Sequence, residues 1–150
     1  MKIAIASDHA GYELKEALKT FFGQIDWLDL GAHNLDSVHY PDYGFAMGEA
    51  ITDGRADRGI VICGSGIGIS IAVNRFPAVR AALCTNSTMV RLSRLHNDAN
   101  VLALGSRIIG FEVAQECVDA FLSTPFEGGR HQQRIDMLSA NVCPSATSPS

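Results

Sequence analysis

The 150-residue sequence contains no C-x-x-C pair, no H-x-x-H or H-E-x-x-H spacing, and no excess of basic charge. Nor does any apolar run approach the ~20 residues needed to cross a bilayer. Each absence removes a class of protein. Four cysteines, at 63, 84, 117 and 143, fit neither a zinc or redox motif nor a small disulfide scaffold, so reduced thiols are expected. His9, His33, His39, His96 and His131 lack metal-ligand spacing, and no metal is expected. A net charge of −4 argues against nucleic acid or an anionic membrane as partner, but not against a small phosphate ester held by local arginines. Met1 to Ser7 reads as structure from the start, without signal-peptide anatomy. A soluble, cytoplasmic protein of one domain is expected, burying roughly 70% of its unfolded surface. No internal repeat is visible.

What is present centres on residues 59–74. An apolar run, Ile60 to Ile62, suits a strand buried on both faces. Cys63 follows, then Gly64, Gly66 and Gly68 at every second position, then an apolar segment of helical length. This is a strand, a glycine-rich turn and a helix. The glycines let a ligand approach bare N–H groups, and the helix start favours an anion. Cys63 stands at the strand's C-terminal end, where open α/β sheets bind ligands, and the same field favours a thiolate. The alternative is a structural thiol in a tight turn. Better-known glycine motifs fail here. No G-x-G-x-x-G follows the first strand, no Lys completes a Walker loop, and Cys63 occupies the first glycine of G-x-S-x-G around Ser65. A cysteine phosphatase would need Arg where Ile69 stands.

Elsewhere, periodicity predicts strands at 2–6, 26–30, 60–63, 79–84 and 100–104, alternating with helices. The first helix shows a stripe of Leu14, Ala17, Leu18 and Phe21. Residues 32–43 read as irregular, with a helix from Phe45 to Ile51. Asn86 or Ser87 can cap the helix that carries Met89, Leu92 and Leu95. The last two helices are expected at about 111–122 and 130–138. The fold class is α/β: a three-layer sandwich with a five-stranded parallel sheet, Rossmann-like or flavodoxin-like, as a single domain over residues 1–140. The favoured strand order is 2-1-3-4-5, with the switch point between strands one and three. Residues 141–150, rich in Ser and Pro, are expected to be a disordered tail.

Polar groups gather near strand ends: Asp8 and His9, Cys63, and His96 to Asp98. Singly, each histidine reads as a loop or cap residue and Asp8 as a helix cap. Combined with a glycine-flanked thiol at the switch point they read as acid–base machinery. Arg130 and Arg134 share a helical face, with His131 beside them and Arg107 after strand five. They form either a phosphate clamp or a solvated basic face.

As a set, Ser7-Asp8-His9-Ala10-Gly11, Tyr40-Pro41-Asp42-Tyr43, Cys63 to Ser70, His96 to Asn100, Gly105-Ser106-Arg107 and Gly128 to Arg134 resemble type B ribose-5-phosphate isomerase, from Met1 to about Ala140. That branch of the sugar-phosphate isomerases also includes the galactose-6-phosphate isomerase subunits. The resemblance implies a cofactor-free enzyme, a homodimer or tetramer with active sites shared across the interface, and interconversion of ribose 5-phosphate and ribulose 5-phosphate through a cis-enediolate. It implies Cys63 as general base with Ser65 assisting, His96 in ring opening, and Asp42 or Tyr43 at the ring oxygen. Asp8 and Asn97 would hold hydroxyls, and the N–H groups of Gly64, Gly66, Ile67 and Gly68 the enediolate oxygen. His9, Arg107, Arg130 and Arg134 would bind phosphate. Ser65 departs from the family's frequent Thr, and Ile69 stands where some relatives carry a Glu base. Two alternatives stay open: another sugar phosphate, such as allose 6-phosphate, or binding without catalysis. A Cys-His hydrolase lacks an orienting third residue.

Overall fold

The computed structural model describes residues 1–141. Of the expected tail, residues 142–150 lie outside the described residues. The elements are β1 (Ile3–Ser7), α1 (Tyr12–Phe21), β2 (Trp27–Asp29), α2 (Tyr40–Thr52), β3 (Arg58–Cys63), α3 (Ile67–Val73), β4 (Ala81–Leu83), α4 (Ser87–Asn97), β5 (Val101–Gly105), α5 (Phe111–Ser123) and α6 (Arg130–Ala140).

All five strands are parallel, and the alternation of their side chains builds two cores. Ile5, Ile60, Ile62, Leu102 and Leu104 face one way, against Leu18 of α1, Val90 of α4 and Phe121 of α5. Their neighbours Ala4, Ala6, Val61, Cys63, Val101 and Ala103 face the other way, against Met47 of α2 and Ile69 and Val73 of α3. Cys63 therefore sits on the α2–α3 face. Both faces are covered, which is why these strands are apolar without interruption.

The order is β2-β1-β3-β5-β4, not 2-1-3-4-5. Length and burial explain the difference. β4 is three half-buried residues and suits an edge, whereas all five residues of β5 are buried and fill the interior position. The adjacency of β1 and β3 is as expected, and with it the crevice between their ends.

Three local readings also change. α2 begins at Tyr40, inside the segment read as irregular, because Pro41 falls in its first turn, where a missing N–H costs nothing. On α1 the buried line runs through Gly11, Lys15, Leu18 and Phe22, leaving Phe21 exposed. A lysine can occupy that line because its Nζ donates to Glu16 Oε2 and Asp29 Oδ2, each at 2.7 Å. β4 has three residues where six were expected, although Val79 and Cys84 on either side of it are buried. The Asn86 cap forms as expected, its Oδ1 accepting from the N–H of Met89 at 2.9 Å.

Candidate active site

Three loops meet at the C-terminal end of the sheet, stitched mostly by main-chain groups. The N–H of Asp8 donates to Ile62 O, that of Ser106 to Cys63 O and that of Arg107 to Gly64 O. Ser106 Oγ adds a bond to Ala10 O at 2.8 Å. These ties close the floor of a cavity of about 350 Å³, lined by Asp8, His9, Ala10, Tyr40, Cys63, Gly64, Ser65, Gly68, Arg107 and Ile108. A hollow of about 400 Å³ between residues 74–80 and the end of α6 has no thiol, carboxylate or imidazole among its lining residues.

Within the cavity, the side chains are held in definite roles. Gly66 adopts φ +78°, and its N–H donates to Cys63 Sγ at 3.2 Å. A side chain there would be strained and would also meet Leu83 and the backbone of Leu104. The N–H of Ile67 donates to Ser65 Oγ at 3.1 Å. Two N–H groups expected to serve an oxyanion are thus engaged within the turn, while Gly68, in the first turn of α3, has no intrahelical acceptor for its N–H. The Asp8 carboxylate, nearly buried, accepts from Gly11 N–H through Oδ1 at 3.0 Å. His9 Nδ1 accepts from Val38 N–H at 3.2 Å, which leaves Nε2 as the N–H donor of the neutral ring. The Arg107 guanidinium lies against Gly64.

Tyr40 was missed in the sequence. Asp42 and Tyr43, expected at the ring oxygen, are not among the cavity's lining residues. Asp42 is two residues and about 200° around α2 from Tyr40 and points to solvent. Tyr43 packs against Gly31 and the α2–α3 core instead. The starting point of α2 was the missing signal; with Tyr40 as its first residue, the helix turns that ring toward Gly68.

His96, Asn97, Arg130 and Arg134 do not join the cavity within one chain. His96 and Asn97 end α4, just before β5 starts, whereas Cys63 pairs with Gly105 at the finish of β5. The two ends are a strand apart, about 13 Å at roughly 3.3 Å per residue. α6 packs on α4, where the His96 ring stacks on His131. The frame there is rigid: buried Arg94 donates to Thr124 O at 3.0 Å, to Asp98 Oδ1 at 2.8 Å and to Ala99 O at 2.8 Å. Arg130 and Arg134 are exposed on α6, and His131 is buried between helices.

Away from the cavity, burial pushes the Cys84 and Cys117 thiols up to about 11, so they stay protonated core groups. Among the described residues no helix is long and apolar enough to cross a membrane.

A thiol, a carboxylate, an imidazole and a guanidinium lining one cavity at the crevice of a parallel sheet suit an enzyme acting on a small molecule. The family model for ribose/galactose isomerase matches residues 3–138, and the chain belongs to that family. It is 43% identical over 141 residues to ribose-5-phosphate isomerase B of Escherichia coli, covering 93% of this chain and 95% of that one. Among solved structures, ribose-5-phosphate isomerase B of Clostridium thermocellum superposes with a TM-score of 0.91 at 51% identity, over 93% of this chain and 96% of that one. The Mycoplasma genitalium enzyme, solved with bound ribulose-5-phosphate, gives 0.87 at 39% identity, over 93% and 94%.

Proposed function

We propose that this protein interconverts D-ribose 5-phosphate and D-ribulose 5-phosphate. The observation that carries the reading is the single cavity holding Cys63, Asp8, His9 and Arg107. A base, a hydroxyl acceptor and two cationic or N–H donors for a phosphate stand there together.

The phosphate dianion takes the Arg107 fork and the His9 Nε2–H, which anchors the sugar away from its reacting carbons. Remote binding of this kind lowers the barrier at the reacting end. Ring opening comes first: a proton leaves the C1 hydroxyl, the C1–O4 bond breaks with its electron pair going to O4, and O4 takes a proton. His96 carries these protons. Cys63 thiolate then removes the C2 proton, and the electron pair shifts through C1 to the carbonyl oxygen, giving the cis-enediolate. The N–H of Gly68 and the Ser65 hydroxyl stabilise that oxygen. The proton of the C2 hydroxyl then passes to the C1 oxygen, the protonated thiol returns its proton to C1 as the C2–O double bond forms, and the ketose results, with Cys63 again a thiolate.

His96 lies a strand away from Cys63 in one chain, so the working enzyme is a dimer in which each cavity receives His96, Asn97, Arg130 and Arg134 from the partner. Exposed apolar side chains support this arrangement. Tyr40 and Ile108, which line the cavity, are exposed, as are Phe45 on α2, Ile67 and Ile71 on α3, and Met137 and Leu138 on α6. Within that dimer Asn97 and Asp8 hold hydroxyls, and the α6 arginines complete the phosphate clamp.

The test is ribulose 5-phosphate formation from ribose 5-phosphate, in chelator, for the wild type and Cys63→Ala. Turnover lost in the mutant with substrate affinity retained supports the reading. Equal turnover in both removes Cys63 from the mechanism, and no wild-type turnover on ribose 5-phosphate removes this substrate.

A further inference from the structure

The His96 ring does not stand free at the end of α4. It lies face to face with His131 of α6, ring centroids 4.5 Å apart and planes within 19°. His131 is 5% exposed, and its Nε2 is buried with no hydrogen-bond partner among the described residues. The nearest anion is Glu127 Oε1, at 3.7 Å. On the other side, a backbone bond from Glu127 N–H to Leu95 O at 3.1 Å ties the loop before α6 to the residue before His96.

His96, Glu127 and His131 are also the one trio of ligand-type side chains among the described residues whose donor atoms lie within 4.8 Å of one another. Two observations weigh against a cation there. A shared metal lies in the plane of each imidazole that binds it, and stacked rings send their lone pairs out side by side, without convergence. Arg130 and Arg134 add positive charge to the same short stretch of α6. Burial, reinforced by His96 and Arg130, also lowers the pKa of His131 below the usual histidine range, so its ring is neutral at neutral pH.

We propose that His131 is a positioning residue for His96: its buried ring is the flat surface on which the His96 imidazole rests, fixing the direction in which that imidazole is delivered to the substrate ring. Stacked aromatic faces attract, and a stacked ring keeps one plane while both its nitrogens remain at the edges, free to carry protons. The inference rests on the ring-opening role proposed for His96.

The test separates ring opening from proton transfer at carbon. Turnover of ribose 5-phosphate is measured for His96→Ala, His131→Ala and His131→Phe, all in chelator. Solvent deuterium wash-in at C1 of ribulose 5-phosphate, which uses Cys63 but needs no ring opening, is measured alongside. His131→Ala is expected to lower kcat for ribose 5-phosphate about 10–100-fold, as mispositioned groups do, with little change in KM and an undiminished wash-in rate. His131→Phe keeps a flat face and is expected to recover most of kcat. An unimpaired His131→Ala overturns the stack, as does a loss in His131→Phe equal to that in His131→Ala. A raised KM would mean that α6 and its arginines have shifted, a merely structural role, and also overturns it. Wild-type activity abolished by chelator would place a cation in the trio and overturn it too. If His96→Ala itself turns over ribose 5-phosphate normally, the reading of His96 fails; a crippled His96→Ala beside a normal His131→Ala sinks the stack alone.

Discussion

Gly68 and Tyr40 are built to touch: a Cβ added at position 68 would fall 2.6 Å from the Tyr40 ring. The ring lies at the cavity's rim and is partly exposed, so it can swing outward at little cost in stability. Gly68→Ala is expected to leave the melting temperature almost unchanged and to lower kcat/KM on the order of 10–100-fold, through a displaced Tyr40. Tyr40→Phe beside it separates ring position from hydroxyl. A Gly68→Ala enzyme with full kcat/KM would show that Tyr40 does not shape the site.

Replacing the thiol tests the base directly. Cys63→Ala is expected to cost about 10²–10⁴ in kcat, the usual worth of a positioned base, while substrate binding persists through Arg107 and His9. Isothermal titration with ribose 5-phosphate reads the second half. Binding lost in step with turnover would mean that the residue holds the turn together and does not move protons.

The proposed sharing of sites between subunits predicts complementation. Cys63→Ala and His96→Ala should each be nearly inactive alone. Unfolded together and refolded at equal amounts, half of the dimers are mixed, and each has one cavity with both groups intact. Activity is expected to return to about a quarter of wild type, as two-fold symmetry requires. Mixtures no better than their parents would confine the site to one chain.

The Lys15 cluster predicts an acid-sensitive fold. Burial alone would raise the Asp29 pKa, but hydrogen bonds from Lys15 and Lys19 outweigh it and hold the carboxyl below its ordinary range. A carboxylate whose pKa is lower when folded stabilises above its unfolded pKa, about 3.9, and that stability is lost as pH falls through the folded value. Asp29→Asn is expected to cost about 3 kcal/mol near pH 7, since the buried Lys15 keeps only Glu16. Urea unfolding at pH 7 and pH 3 checks it: the gap between wild type and variant should narrow at the lower pH. A gap that does not depend on pH would point to packing.

Much of the fold was legible because local patterns and tertiary demands agree along this chain. The uninterrupted apolar character of Ile60 to Ile62 marks a covered strand, and Asn86 caps as its chemistry dictates. Where the reading changed, a contact distant in sequence decided. Asp29 on β2 allows Lys15 to face inward, which moves the buried line of α1. The three-residue length of β4 sends β5 past it to the interior. Cys63, Asp8 and His9 could be placed at one crevice because they follow adjacent strand ends at a switch point, whereas Arg107, after β5, was read with the arginines of α6. Tyr40 was not, because its place depends on where α2 begins. The contact of His96 with His131, 35 positions along the chain, leaves no trace in spacing.

The floor of the cavity is held by main-chain bonds from Asp8, Ser106 and Arg107, to Ile62, Cys63 and Gly64. Peptide groups do not change when a side chain does. The loops can therefore keep their places while Tyr40 and Ile108 at the rim are exchanged for residues of other size or polarity. Adaptation to a longer or differently substituted sugar phosphate is open to single substitutions that leave the thiol, its turn, His9 and Arg107 where they are.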